Sequence, residues 1–151
     1  MSFGETPITV IGNLTADPEI KFTTGGAALA KFTIAATPRV FDREANQWKD
    51  GNATFFRCAA WRQLAENAAE SLTKGARVVA HGRIRQHDWK TDAGENRSML
   101  VLEVDEIGAS VRFTTVTINA KRPAQSTPAA GDDAWNTDAS AGKPESDEPP
   151  F

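Results

Sequence analysis

Ala76-Arg77-Val78-Val79-Ala80-His81-Gly82-Arg83-Ile84-Arg85-Gln86-His87-Asp88-Trp89 is the stretch on which the fold turns. Successive side chains of a strand point to opposite faces. Arg77, Val79, His81, Arg83, Arg85, His87 and Trp89 then share one face, and Val78, Ala80, Gly82 and Ile84 the other. One face is small and apolar; the other is basic and ends in an indole. At about 3.3 Å per residue the segment is long enough to cross a small barrel and project beyond it as a hairpin arm. A bland half-exposed strand would mix signs on its wet face, and a solvated face with chance clustering of arginine is the competing reading of this segment alone.

Upstream, Thr6 to Leu14 alternates and is rich in β-branched residues, and Glu19 to Phe22 can extend again before the Thr23-Thr24-Gly25-Gly26 turn. Ala28 to Thr37 sets Ala28, Ala30, Phe32, Ile34 and Ala36 on one face and ends at Pro38. Residues 39 to 51 read as a long polar loop carrying Phe41 and Trp48. Asn52 to Trp61 is a third strand. Its odd side holds Phe55, Arg57 and Trp61, and an arginine there argues that this side is wet. Cys58, on the other side, reads as a small buried hydrophobe.

Arg62 to Lys74 is the one convincing helix, with Leu64, Ala68 and Leu72 in a stripe and Gly75 as its stop. After the opening stretch, a turn near Gly94 leads into Arg97 to Ile107, with Leu100, Leu102 and Val104 expected inward. Val111 to Asn119 is expected to add a further short strand. Five long strands with a helix between the third and fourth is the chain order of an OB-fold barrel, mainly all-β and used for oligonucleotides.

The formal charge of −3 averages two unlike parts. Residues 1 to 122 carry 16 Lys and Arg against 14 Asp and Glu; residues 123 to 151 carry Lys143 alone against six acids. A body of +2 is a weak signal, so any binding of nucleic acid depends on where the charges face. The second part is rich in Pro, Ala, Gly, Ser and Asp without an apolar face, and is expected to form a disordered acidic tail. The division expected is an OB-fold binding and oligomerisation domain over 1–122 and a tail over 123–151.

No run approaches the 18 apolar residues of a membrane span, and a single cysteine forms no internal disulfide, so a cytoplasmic protein is expected. His81 and His87 lie too far apart along a strand to share a metal, and Gly25-Gly26 matches no phosphate-cradling loop. Neither an enzyme nor a cofactor is expected. Single-stranded nucleic acid offers unpaired base faces and a charged backbone, and the surface that suits it interleaves aromatics with Arg and Lys. Phe55, Arg57 and Trp61 on one strand, with Arg83, Arg85 and Trp89 on another, fit that description.

At these residues the chain resembles the bacterial single-stranded DNA-binding proteins, in their actinobacterial form. The resemblance runs from residue 5 to about 119, through Val10-Ile11-Gly12-Asn13-Leu14, Gly25-Gly26-Ala27, Ala30-Lys31-Phe32-Thr33-Ile34-Ala35, Trp61-Arg62-Gln63-Leu64-Ala65-Glu66 and Leu72-Thr73-Lys74-Gly75. It resumes at Asp147-Glu148-Pro149-Pro150-Phe151, which is similar to the family's acidic terminal peptide. The resemblance implies a homotetramer, associated with the nucleoid, that binds and protects single-stranded DNA without sequence preference in replication, recombination and repair. It also implies that the terminal five residues dock partner enzymes.

Stacking positions carried over from the family are Phe41, Phe55, Trp61 and Trp89, with Trp48 a further candidate. At Phe41 and Phe55 well-known members have Trp, which implies weaker stacking here. Arg57, Lys74, Arg77, Arg83, Arg85, Lys90 and Arg97 are phosphate candidates by face and charge. A specialised paralogue acting mainly as an interaction hub, or an RNA-binding OB protein, are the competing readings. The extra strand over Val111 to Asn119 resembles one that actinobacterial members use at subunit contacts.

Overall fold

A computed structural model describes residues 3–120 of the chain. It divides into a unit Met1–Val116 and a unit Thr117–Phe151, and every strand and helix of the described residues belongs to the first. The expected tail, 123–151, lies outside the described residues, as do the docking candidates Asp147, Glu148, Pro149, Pro150 and Phe151.

Among the described residues eight strands and one helix follow in the order β1 (Thr6–Leu14), β2 (Glu19–Phe22), β3 (Ala28–Ala36), β4 (Arg39–Asp42), β5 (Gln47–Asp50), β6 (Thr54–Trp61), α1 (Arg62–Ser71), β7 (Arg77–Lys90) and β8 (Asn96–Ala109). β1, β7, β8, β6 and β3 are hydrogen-bonded in that order, and a short β1–β3 pairing at Asn13 and Leu14 closes the ring. β6 meets β8 in parallel; the other pairings of the ring are antiparallel. This is the five-stranded barrel expected from the strand order, with α1 between its third and fourth strands. β2 is added outside the ring, on β3.

Alternation makes the core. Ala28, Ala30, Phe32 and Ile34 of β3, Cys58 and Ala60 of β6, Val78 and Ala80 of β7 and Leu102 and Val104 of β8 all point inward and are buried. α1 covers one end of this core with Ala65 and Ala68, and Leu72 follows them inside. The helix stops at Ser71, short of the expected Lys74, because Leu72 is extended (φ −110, ψ 142) while its N–H still reaches the Ala68 carbonyl at 2.9 Å. Burial pushes the Cys58 thiol up to about 12, so at neutral pH it is a packing group rather than a nucleophile.

Three further expectations are corrected. Residues 39 to 51 are not an open loop: β4 and β5 form a two-stranded ribbon with Phe41 opposite Trp48. Its turn is fixed by Asp42, whose Oδ1 accepts the N–H groups of Glu44 (2.9 Å) and Ala45 (3.3 Å). The Lys49 ammonium, 3.1 Å away, and those two N–H groups hold the Asp42 carboxyl below its usual value. Leu100 is 59% exposed instead of inward, because it pairs with Gln86 on the part of the β7–β8 arm that has left the barrel and has no core to face.

The extra strand over Val111 to Asn119 is not formed. Ser110 N–H bonds the Arg77 carbonyl at 2.8 Å, and beyond that point no ladder continues among the described residues. A strand needs a paired edge. Val111, Phe113 and Val116 remain exposed.

Candidate nucleic-acid interface

The outward face of the sheet is set by register. On β6 the side chains of Phe55, Arg57 and Trp61 point away from the core, since Cys58 and Ala60 alternate with them inward. Phe55 is 63% and Trp61 37% exposed. Arg57 donates to the Met99 sulfur on β8 at 3.6 Å, so its guanidinium lies over the β6–β8 seam. Among the described residues Arg57 makes no ion pair.

On the arm, Trp89 is 42% exposed and its ring stacks against His87, centroids 6.1 Å apart and planes 29° off parallel. Sequence reasoning set His87 aside once a metal role was excluded. The signal that could have kept it is its place two residues from Trp89 on the same face. Trp89, Lys90 and Arg97, with Asp88, Asn96 and Ser98, line an open cleft of about 480 Å³ at the arm. Arg97 is paired with Glu95 at 3.2 Å with both side chains largely exposed, a contact worth little on its own. Lys90 and Lys74 are exposed, and among the described residues neither has an ion-pair partner. The Lys74 backbone N–H is tied to Asp17 Oδ1 at 2.7 Å, which fixes the loop that presents its side chain.

The ribbon carries the other aromatic pair. Phe41 and Trp48 meet edge to face with centroids 5.4 Å apart, and both rings are open to solvent, Phe41 by 44% and Trp48 by 60%. Trp48 is thus the neighbour that orients Phe41 and also an open ring itself.

Three of the basic candidates are occupied by other groups. The Arg77 guanidinium sits over the Phe113 ring at 5.2 Å, with Arg112 near the same ring at 5.3 Å, and Arg77 Nε is buried without a hydrogen-bond partner. Arg83 faces Asp105 at 3.0 Å and Glu5 at 3.1 Å; Arg85 faces Glu5 at 3.0 Å and Glu103 at 3.4 Å. The hydrogen bonds that Arg83 donates to Asp105 and then to Glu5 raise its pKa further. The face that looks purely basic along β7 is therefore largely neutralised from β8 and from the residue ahead of β1.

The cause is the pairing. Arg83 lies opposite Glu103, and a bulge follows, in which Gly82 pairs with Val104 and His81 with Glu106, leaving Asp105 without an opposite residue. The extra residue swings its carboxylate onto the Arg83 fork, contacting Nε at 3.2 Å and Nη2 at 3.0 Å.

Aromatic rings that stand clear of the core, with guanidinium and ammonium groups among them, form a surface for stacked bases and a charged backbone. Helix α1 lends that surface nothing suited to a duplex groove: its outer side carries Glu66 and Glu70. Comparison with known proteins agrees in kind. Residues 6–110 match the single-strand binding protein family. The chain is similar to a single-stranded DNA-binding protein of Mycobacterium tuberculosis, 50% identical over 98% of this chain and 99% of that one. A protein of the same name from Paenarthrobacter nicotinovorans is 48% identical, again over 98% and 99%. Among solved structures, a small single-stranded DNA-binding protein from Streptomyces coelicolor superposes with a TM-score of 0.62 at 33% identity, covering 72% of this chain and 97% of that one.

Proposed function

The chain belongs to the single-strand binding protein family, and on that footing we propose that it binds single-stranded DNA without sequence preference. The observation that carries this reading is the outward row Phe55, Arg57, Trp61 on β6, two exposed rings flanking a guanidinium that has no carboxylate partner among the described residues. Bases stack on Phe55, Trp61 and Trp89, with the Phe41–Trp48 pair as a further platform on the ribbon. Backbone phosphates are met by Arg57, Lys74, Lys90 and Arg97; Arg77, Arg83 and Arg85 contribute to the extent that they leave their present neighbours. The role is binding and protection in replication, recombination and repair, not catalysis. No helix of the described residues is long and apolar enough to cross a membrane, and a cytoplasmic, nucleoid-associated setting suits the role.

Titration of the full chain with a dT homopolymer should quench tryptophan fluorescence strongly. Affinity should fall with salt at a slope of about −0.7 for each phosphate neutralised. Equal affinity for duplex and single strand would overturn the reading.

Two further parts belong to the proposal. Residues 1–122 form the binding domain and assemble as a homotetramer, while 123–151 tether the tip Asp147-Glu148-Pro149-Pro150-Phe151. A terminal aromatic beside acids suits a basic, pocketed site on replication, recombination and repair enzymes. Removal of Phe151 should abolish retention of such an enzyme on the immobilised chain while leaving dT affinity within about twofold; a retained complex would count against the docking role. The neutralised Arg83 and Arg85 favour one second reading, a specialised paralogue acting mainly as an interaction hub. A dT dissociation constant in the micromolar range or weaker at physiological salt would support it.

A further inference from the structure

Two guanidinium groups and three carboxylates meet in the middle of the candidate interface. Glu5 Oε1 bridges Arg83 at 3.1 Å and Arg85 at 3.0 Å. Asp105 grips Arg83 through both its oxygens, and Glu103 lies 3.4 Å from Arg85 and 4.0 Å from Arg83. The group carries one more negative than positive charge. Its position matters as much as its sign: Glu103 is the register partner of Arg83 on β7 and of Ala59 on β6, and Ala59 lies between the outward-facing Arg57 and Trp61. By register, a path from Trp61 on β6 to Trp89 on the arm runs past Glu103 and the two arginines.

The side chains are partly open to solvent, Arg83 by 30% and Arg85 by 51%, so their partners can be exchanged without unfolding the barrel. A guanidinium fork fits a carboxylate and a phosphate with the same bidentate geometry. The two anions therefore contend for the same donors. We infer that Glu5, Glu103 and Asp105 are built-in competitors for backbone phosphate, which set the affinity and the salt dependence of single-strand binding by occupying Arg83 and Arg85. The inference rests on the proposed DNA-binding function and assigns these acids a part in it.

The test uses the full chain carrying Glu5→Gln together with Glu103→Gln, which strips Arg85 of both its partners. One additional phosphate contact should then tighten dT binding on the order of fivefold at about 0.1 M salt and steepen the salt slope by about 0.7. A comparison chain carrying Glu66→Gln and Glu70→Gln on α1 has the same charge change away from the face, and should change affinity less than about twofold with its slope intact. Adding Arg85→Gln to the Glu5→Gln and Glu103→Gln chain should cancel the gain. The thermal midpoint of each variant shows that the barrel persists.

Unchanged affinity and slope in the Glu5→Gln, Glu103→Gln chain would overturn the inference. So would an equal gain in the helix variant, which would mean general charge, and so would weaker binding, which would mean that the acids position the guanidinium groups. If the unaltered chain fails to bind dT, the proposed function falls; if it binds and the face variant behaves like it, only this inference falls.

Discussion

Replacing Phe55 by alanine should weaken binding of a dT homopolymer about five- to 150-fold, and replacing Trp89 should do the same. The range corresponds to about 1–3 kcal/mol per stacked base, the general figure for aromatic stacking in single-strand binders, this family included. Phe55 is the sharper test, because 63% of its surface is already in solvent and it fills no space in the core. Its loss should change folding stability by about 0.5 kcal/mol or less. A similar truncation of Phe32, which is buried inside the barrel on the paired strand, should instead cost about 3–5 kcal/mol of stability. Binding and folding thus separate at two positions of the same residue type. Phe55→Trp should move affinity the other way, since an indole offers a larger face. Chemical denaturation beside fluorescence or anisotropy titration checks the set. If Phe55→Ala binds dT as the unaltered chain does, the β6 row is not the stacking track.

The barrel was legible because its strands are long enough to show their alternation and because nearly every inward position is apolar. Ala28, Ala30, Phe32 and Ile34, or Val78 and Ala80, admit one assignment of faces. The ribbon was not legible. Its strands are four residues each, exposed on both sides, and their pairing depends on the Asp42 turn rather than on a hydrophobic pattern. Leu100 shows a different limit: alternation says which residues share a face, not where along an arm the core ends. For Val111 to Asn119, extended-chain propensity is present, but pairing requires an edge that the described residues do not offer it.

For the candidate site the same limit appears in charge. Phe55, Arg57, Trp61 and Trp89 were found where alternation put them. Arg83 and Arg85 also face outward, as expected, but one strand's sequence carries no record of what stands beside it. Glu103 and Asp105 are reached only through register, and the register of β8 changes at the bulge: Leu102 and Val104 point inward before it, and Ile107 packs on the core after it. A basic stripe on a strand is therefore a statement about charge density only after its two neighbours are known. Here one neighbour supplies two acids and the segment ahead of β1 a third, so the affinity of the face becomes a balance between internal and external anions.

Gly82→Ala should destabilise the barrel strongly for so small a change, by about 3 kcal/mol or more out of the roughly 5–15 kcal/mol that holds a domain of this size together. A Cβ built at Gly82 overlaps the carbonyl oxygen of Glu103 and lies 2.9 Å from the Val104 Cα, so both of its closest neighbours are backbone. Backbone cannot turn aside as a side-chain tip can. Relief would require β8 to withdraw from β7 at the bulge, where Gly82 pairs with Val104 and Arg83 with Glu103. That withdrawal would also draw the buried Val104 and Leu102 out of the core. Gly108→Ala, on β8 itself, has nothing within 4 Å of its Cβ and should change stability by about 0.5 kcal/mol or less. Equilibrium unfolding in urea compares the two. A Gly82→Ala chain with an unshifted midpoint would mean that β7 and β8 stand further apart at the bulge than their pairing requires. The close approach would then no longer account for the way Glu103 and Asp105 reach Arg83.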